Sequence, residues 1–99
     1  MAKYVLTKRA VKDLTDIWNY TFDNWSEKQA DKYYNEILAE CDVLAENPEK
    51  GKAYFKLIED LRGAKINKHI IFYRKLERPL MEIVRVLHER MDLKSKLNR

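Results

Sequence analysis

From Lys68 to Asp92 the chain reads KHIIFYRKL, then a polar break at Glu77-Arg78-Pro79, then LMEIVRVLHERMD. Two apolar runs of β-type residues joined by a short turn predict a hairpin. In the second run successive side chains alternate between faces, which sets Met81, Ile83 and Leu87 against Leu80, Val84 and Val86. Both groups are apolar. A strand apolar on both faces is covered on both, so Leu80 to His88 is expected inside the sheet rather than at its edge. Its charged end, His88 to Asp92, emerges where the strand stops.

Upstream, Ala2 to Leu6 is a short apolar run ending at Thr7, whose hydroxyl can accept from the first free amides of a helix. The period then changes. Leu14, Ile17, Trp18, Thr21 and Trp25 recur at three and four residues and form one stripe of a helix running from Ala10. Trp18 and Trp25 lie two turns apart on that stripe and are expected to pack on a neighbouring helix or sheet rather than to cage a ligand. Ser26-Glu27-Lys28-Gln29 has the capping-box form and opens a second helix. Its stripe is Ala30, Tyr33, Tyr34, Ile37, Leu38, Cys41, Leu44 and Ala45, and Asn47-Pro48 closes it, because the residue before a proline avoids the helical region. So short a break makes the helices antiparallel neighbours whose shared apolar face the sheet must cover.

Residues 49–60 carry Tyr54, Phe55, Leu57 and Ile58 without a clean period and read as an irregular connection with a tight turn at Gly51. Leu61 to Ile66 reads as a weak strand closed by Asn67-Lys68. From Asp92 onward the chain is basic and too short for an independent element, so a mobile tail or a docking peg is expected. The expected fold is α+β in the order β-α-α-β-β-β, a helical hairpin packed on a small antiparallel sheet.

The 99 residues fit a single domain, 1–99. An apolar fraction of 45% beside 36% charge favours a compact domain with a solvated surface over a disordered chain. A single cysteine, Cys41, excludes an internal disulfide framework. No apolar run nears the roughly 20 residues of a membrane span, and no signal-peptide core opens the chain, so the expected location is the cytoplasm. Charge is uneven: residues 1–50 hold 7 Lys/Arg and 10 Asp/Glu, whereas 51–99 hold 13 and 6. The sheet half is the basic half, which fits an acidic partner, nucleic acid or protein; the alternative is that its lysines only solubilise the surface.

No glycine-rich phosphate loop, zinc spacing or Ser/His/Asp arrangement occurs in the sequence. No cofactor and no metal are expected; His88, Glu89 and Asp92 in one short turn make no closed coordination geometry. Cleaving RNA through its 2′-hydroxyl needs a base, an acid and cations around the phosphate. His88, Glu89, Arg85 and Arg62 could supply these, with Lys65, Lys68 and His69 adding charge. However, Arg85 and His88 are expected on opposite faces of the strand, and His88 is expected to be a strand-end histidine bonded to backbone. Cys41 lies on the apolar stripe with no activating neighbour and reads as core.

The helix phrase AVKDLTDIWNY, the junction WSEKQA, the stretch LAENPEKGK and above all HIIFYR followed by VRVLHERMD resemble the ParE toxins of the RelE/ParE superfamily. The resemblance covers nearly the whole chain. Between Arg62 and His69 the chain lacks an aromatic, a proline and a glycine that the family commonly carries, which bears on target details more than on the fold. The resemblance implies the toxin of a type II toxin-antitoxin system, active in growth inhibition and plasmid stabilization. It implies a non-catalytic inhibitor of DNA gyrase, neutralised by a ParD-like antitoxin in a hetero-oligomer; the alternative is a ribosome-dependent mRNA endoribonuclease of RelE type. On this reading Arg85, His88, Arg90, Met91 and Asp92 contact the target. Tyr20, Phe22, Tyr54, Phe55, Leu57 and Ile58 line the antitoxin groove, with a satellite cluster beneath the loop as the other account of Tyr54 to Ile58.

Overall fold

A computed structural model describes residues 3–77 and 80–97. In chain order the elements are β1 (Lys3–Leu6), α1 (Lys8–Asn24), α2 (Glu27–Glu46), a 3-10 turn (Pro48–Lys50), β2 (Lys52–Ala53), β3 (Arg62–Ile66), β4 (His69–Lys75), β5 (Leu80–His88) and α3 (Leu93–Leu97). The expected strand start at Ala2, the Arg78-Pro79 part of the turn and the tail residues Asn98 and Arg99 lie outside the described residues.

Strand order is β1-β5-β4-β3-β2, so β5 is internal, as its two apolar faces require. Neighbours from β2 to β5 pair antiparallel, but β1 runs parallel to β5, and the sheet is mixed rather than wholly antiparallel. No tight turn links β1 to β5, so nothing local imposes the antiparallel direction that hairpins impose elsewhere. Thr7 joins β1 to α1 and α1 to the sheet. Its Oγ1 accepts from the Ala10 amide at 3.0 Å and donates to the Val84 carbonyl at 2.8 Å, while its amide donates to the Ile83 carbonyl. Ser26 caps α2 in the expected way, accepting from the Gln29 amide. Asn67 turns the chain from β3 to β4 with φ 51°, a left-handed conformation that Asn tolerates better than most residues.

Each face of the sheet has its own core. Ala10, Leu14 and Ile17 of α1 and Ile37, Cys41, Leu44 and Ala45 of α2 pack on Ala64, Ile71, Tyr73, Met81, Ile83 and Val86. On the other face Ile70, Phe72 and Leu87 pack with Leu61 and Leu97, and Tyr54, Leu57, Ile58, Val84 and Leu93 close over them. The strict alternation expected along β5 fails at a bulge. Phe72 pairs with Arg85 but Tyr73 pairs with Ile83, which leaves Val84 without a partner. The extra residue reverses the alternation beyond it, so Val86 joins Met81 and Ile83, and Leu87 joins Val84.

Other departures concern edges and ends. β2 is two residues drawn from the connection read as irregular, and the basic tail forms α3, docked through buried Leu97. Trp18 is half-buried, its Nε1 donating to Asp31, but Trp25 is 74% exposed and packs on no core. Its place at the helix C-cap explains this: the chain leaves α1 there, and the apolar stripe has no sheet left beneath it.

Candidate functional site

Where β1 ends opposite Ile83, the edge of β5 beyond is open to α1. Asp13, one of the buried residues of α1, fills that edge. Its Oδ2 accepts from the Val86 amide at 3.0 Å and from Arg85 Nε at 2.8 Å, and its Oδ1 accepts from Arg85 Nη2 at 2.9 Å. Arg85 Nη1 donates to the Lys96 carbonyl of α3, so the guanidinium runs around the strand edge from α1 to α3. Asp13 holds that guanidinium charged. Arg85 is therefore spent on holding the fold, and the expectation that it simply faces away from His88 gives way to a side chain wrapped around the edge.

The next pair of residues opens to solvent. His69 and His88 are directly opposed in β4 and β5, their rings edge to face at 5.2 Å. His88 Nδ1 accepts from the Arg90 amide at 3.1 Å, the backbone bond expected of a strand-end histidine. The Tyr33 hydroxyl lies 3.1 Å from the Ile66 carbonyl and 2.8 Å from His69 Nδ1. When its one proton goes to the carbonyl, the hydroxyl accepts from Nδ1–H and leaves the His69 Nε2 lone pair facing outward. Burial, and then the charge of His88, lowers the His69 pKa to about 4, so its ring is neutral at physiological pH. Burial also raises Tyr33, keeping it a hydroxyl.

Two clefts flank this histidine pair and share Tyr20, Thr21, His69 and His88 in their walls. One, of about 690 Å³, adds Trp25, Lys32, Tyr33 and Lys68 among others; the second, of about 560 Å³, adds Asp16, Ile17, Arg90 and Met91. Tyr20 stands between them, 67% exposed. Phe22 is two residues on and therefore about 200° around the helix, where it stacks on Trp18 away from both clefts.

The nuclease constellation does not assemble. Arg62 pairs with Tyr73, four residues along β4 from His69, or about 13 Å at the rise of a strand. There it donates to the Gly51 carbonyl, pairs with Glu49 and lies over the Phe55 ring. Glu89 pairs with Lys65 at 2.8 Å, and that lysine holds its carboxyl below the usual range. Asp92 is exposed and stands at the start of α3, accepting from the Ser95 amide at 3.4 Å. Arg90 and Met91 remain exposed. Tyr54, Leu57 and Ile58 sit partly buried on the second core, the satellite-cluster arrangement, and only Phe55 of that loop is open. Among the described residues no three His, Cys, Asp or Glu are grouped to hold a metal ion.

Sequence reasoning undervalued Asp13, Tyr33 and His69. Asp13 had a visible signal, a carboxylate on the stripe of Ala10, Leu14 and Ile17. Tyr33 sits among core residues, and nothing in one dimension shows that its hydroxyl emerges beside a histidine 36 positions on.

This helical hairpin on a mixed sheet is a known fold: a chain of the chromosomal ParDE TA system from P. aeruginosa superposes with a TM-score of 0.75, covering 89% of this chain and 96% of that one at 17% identity. The sequence carries the assignment further. Residues 4–93 match the model of the ParE toxin of type II toxin-antitoxin systems, parDE. Toxin ParE1 of Caulobacter vibrioides is 37% identical over 98% of this chain and 99% of its own length, and Toxin ParE1 of Mycobacterium tuberculosis is 34% identical over 97% and 98%. Toxin ParE of Escherichia coli is 32% identical over 98% of this chain and 94% of its own. The chain belongs to the ParE toxin family of type II toxin-antitoxin systems.

Proposed function

We propose that this toxin acts in the cytoplasm by binding rather than by catalysis, that its target is DNA gyrase, and that a ParD-like antitoxin silences it by covering the same end of the molecule. The observation that supports this reading is the separation of the groups an RNA-cleaving centre would need: Arg85 is locked to Asp13 and Arg62 lies at the other end of the sheet, while Glu89 pairs with the exposed Lys65. What remains exposed at the strand end is a recognition surface of His88, Arg90 and Met91, with Asp92 holding α3 beneath it and Arg85 fixing the strand. The choice of gyrase rests on the resemblance to ParE proteins.

The antitoxin surface in this reading centres on Tyr20 and the two clefts; Phe22, on another side of α1, and the loop of Tyr54, Phe55, Leu57 and Ile58, which packs on the second core, lie outside them. An antitoxin segment seated on Tyr20 also covers His88, so neutralisation is occlusion of the target surface. Purified gyrase with ATP, plasmid and increasing toxin tests the reading: cleaved plasmid accumulates, and antitoxin reverses it. Gyrase unaffected at large toxin excess overturns it. One observation favours a second reading, that of a ribosome-dependent endoribonuclease: the His69 and His88 rings stand edge to face in the wall of one cleft that Lys68 also lines. Codon-dependent mRNA cuts that vanish in His88→Ala are its signature.

A further inference from the structure

α1 carries a second apolar stripe, on a different side from the core stripe of Ala10, Leu14 and Ile17. Val11 is 48% exposed and Phe22 46%, and Trp25 lies further out still. Trp18, stacked on Phe22 at 5.3 Å and tied to Asp31, is the stripe's half-buried root. With Lys8 and Thr15 these residues advance by alternating steps of three and four, the a and d positions of a helix that packs along another helix.

The charges on the same helix run against its own dipole. Lys8, Arg9 and Lys12 stand in its first turns, Asp13 is taken up by Arg85 and Asp16 by Lys12 at 2.9 Å, and Asp23 lies in the last turn; no acidic residue lies in the first turn nor any basic one in the last. A helix favours the opposite arrangement. An antiparallel helix of the same sequence supplies it, bringing Asp23 of each copy to the basic first turns of the other.

We infer that the free toxin pairs with a second copy of itself through this face, the two α1 helices lying antiparallel about a two-fold axis between Asp16 and Ile17. In such a pair a positions meet d positions, and one register satisfies every layer: Lys8 faces Trp25 of the second copy, Val11 faces Phe22, and Thr15 faces Trp18. The outer layers place an ammonium over an indole. Lys12 lies on the flank beside Asn19 and Asp23 of the second copy. An unrelated partner helix requires neither the self-complementary register nor the self-complementary charge; a second copy accounts for both. The contact follows about 25 Å of helix, at the small end of specific interfaces, so association is weak and concentration-dependent. The stripe runs away from Tyr20 except at Trp25, which reaches the rim of the larger cleft, so the dimer leaves the second cleft and His88 open, and the inference stands apart from the choice of target.

Sedimentation equilibrium of the full chain over a wide concentration range tests it. The average mass rises from the 11.9 kDa monomer towards twice that value. Phe22→Glu, an exposed change checked for fold by circular dichroism, holds the chain at the monomer. Lys12→Glu and Asp23→Lys each weaken pairing by about fivefold, since each removes two symmetry-related surface attractions. Together they restore it, because each copy then contributes both reversed charges. A chain that stays monomeric throughout overturns the inference, as does a dimer indifferent to Phe22→Glu or a double variant that fails to recover. Loss of antitoxin affinity in Phe22→Glu, with the free wild type monomeric, assigns the face to the antitoxin and also overturns it.

Discussion

Asp13 and Arg85 stand 72 residues apart in sequence and meet as a two-pronged ion pair at the edge that β1 leaves open beside β5. The same carboxylate completes the hydrogen bonding of the Val86 amide, and the same guanidinium holds the carbonyl of Lys96. One pair thus fixes α1, the central strand and α3, and through them the strand end where His88 and Met91 emerge.

Asp13→Ala leaves a largely buried guanidinium without its charge partner and a buried amide without an acceptor. The expected loss is about 3 to 5 kcal/mol of stability, seen as a shift of the urea midpoint at unchanged slope. A loss below about 1 kcal/mol would mean that water reaches the edge and the pair behaves as a surface bridge.

This pair also marks where the sequence stops being legible. Period and caps were readable: Thr7 and Ser26 cap the helices they were expected to cap, and the two apolar faces of β5 placed it inside the sheet. Alternation was readable only as far as Val84, because a bulge is a relation between two strands and leaves no mark on one. The site was readable as an inventory and not as an arrangement. His88 and Glu89 were correctly adjacent, but Arg62 belongs to a strand whose register carries it to the far end. Tyr20 and Phe22 are both expected at the antitoxin groove, and helical geometry sets them on different sides of α1.

Tyr73 offers a second test of the core. Its hydroxyl donates to the Pro48 carbonyl at 2.7 Å and accepts from the Gly51 amide at 2.8 Å, stitching the end of the helical layer to the sheet. Tyr73→Phe strands that buried amide and is expected to cost about 1 to 3 kcal/mol. Gly51→Ala should cost a similar amount, since its methyl would overlap the Tyr73 hydroxyl and displace it from the same hydrogen bonds. If the two losses share one cause, a combined variant in thermal unfolding falls well short of their sum.

His69 makes stability depend on pH in a predictable direction. Its ordinary pKa is 6.5 and its folded value about 4, so between those values the unfolded chain binds the extra proton. The contribution is fully present above pH 6.5 and is lost as pH falls towards 4. Tyr33, His88, Asp13 and Glu89 face or act on this ring, and carboxylates also titrate in the lower part of the window. The measurement is therefore a difference: urea midpoints of wild type and His69→Gln from pH 7.5 down, with the variant showing the shallower decline. Parallel curves would mean that His69 protonates as freely folded as unfolded.

Cys41 is fully buried and burial pushes its thiol up to about 12. The folded chain should resist disulfide reagents that react with thiolates, and labelling should follow the rate of opening rather than reagent concentration once reagent is in excess. Rapid labelling at neutral pH would place Cys41 in a mobile part of α2.

Tyr20 decides whether antitoxin and target share a surface. It is a large, exposed aromatic standing between two clefts that both reach His88, the position in which one side chain contributes most to an interface. Tyr20→Ala should weaken antitoxin binding by about tenfold or more without unfolding the chain. If the antitoxin is acidic where it meets the basic half, its association should also slow as salt is raised. Because a segment on Tyr20 lies over His88, the toxin–antitoxin complex should fail to capture gyrase in a pull-down that free toxin passes. A stable ternary complex would separate the two surfaces, and neutralisation would then have to work through a change in the toxin's shape instead of by cover.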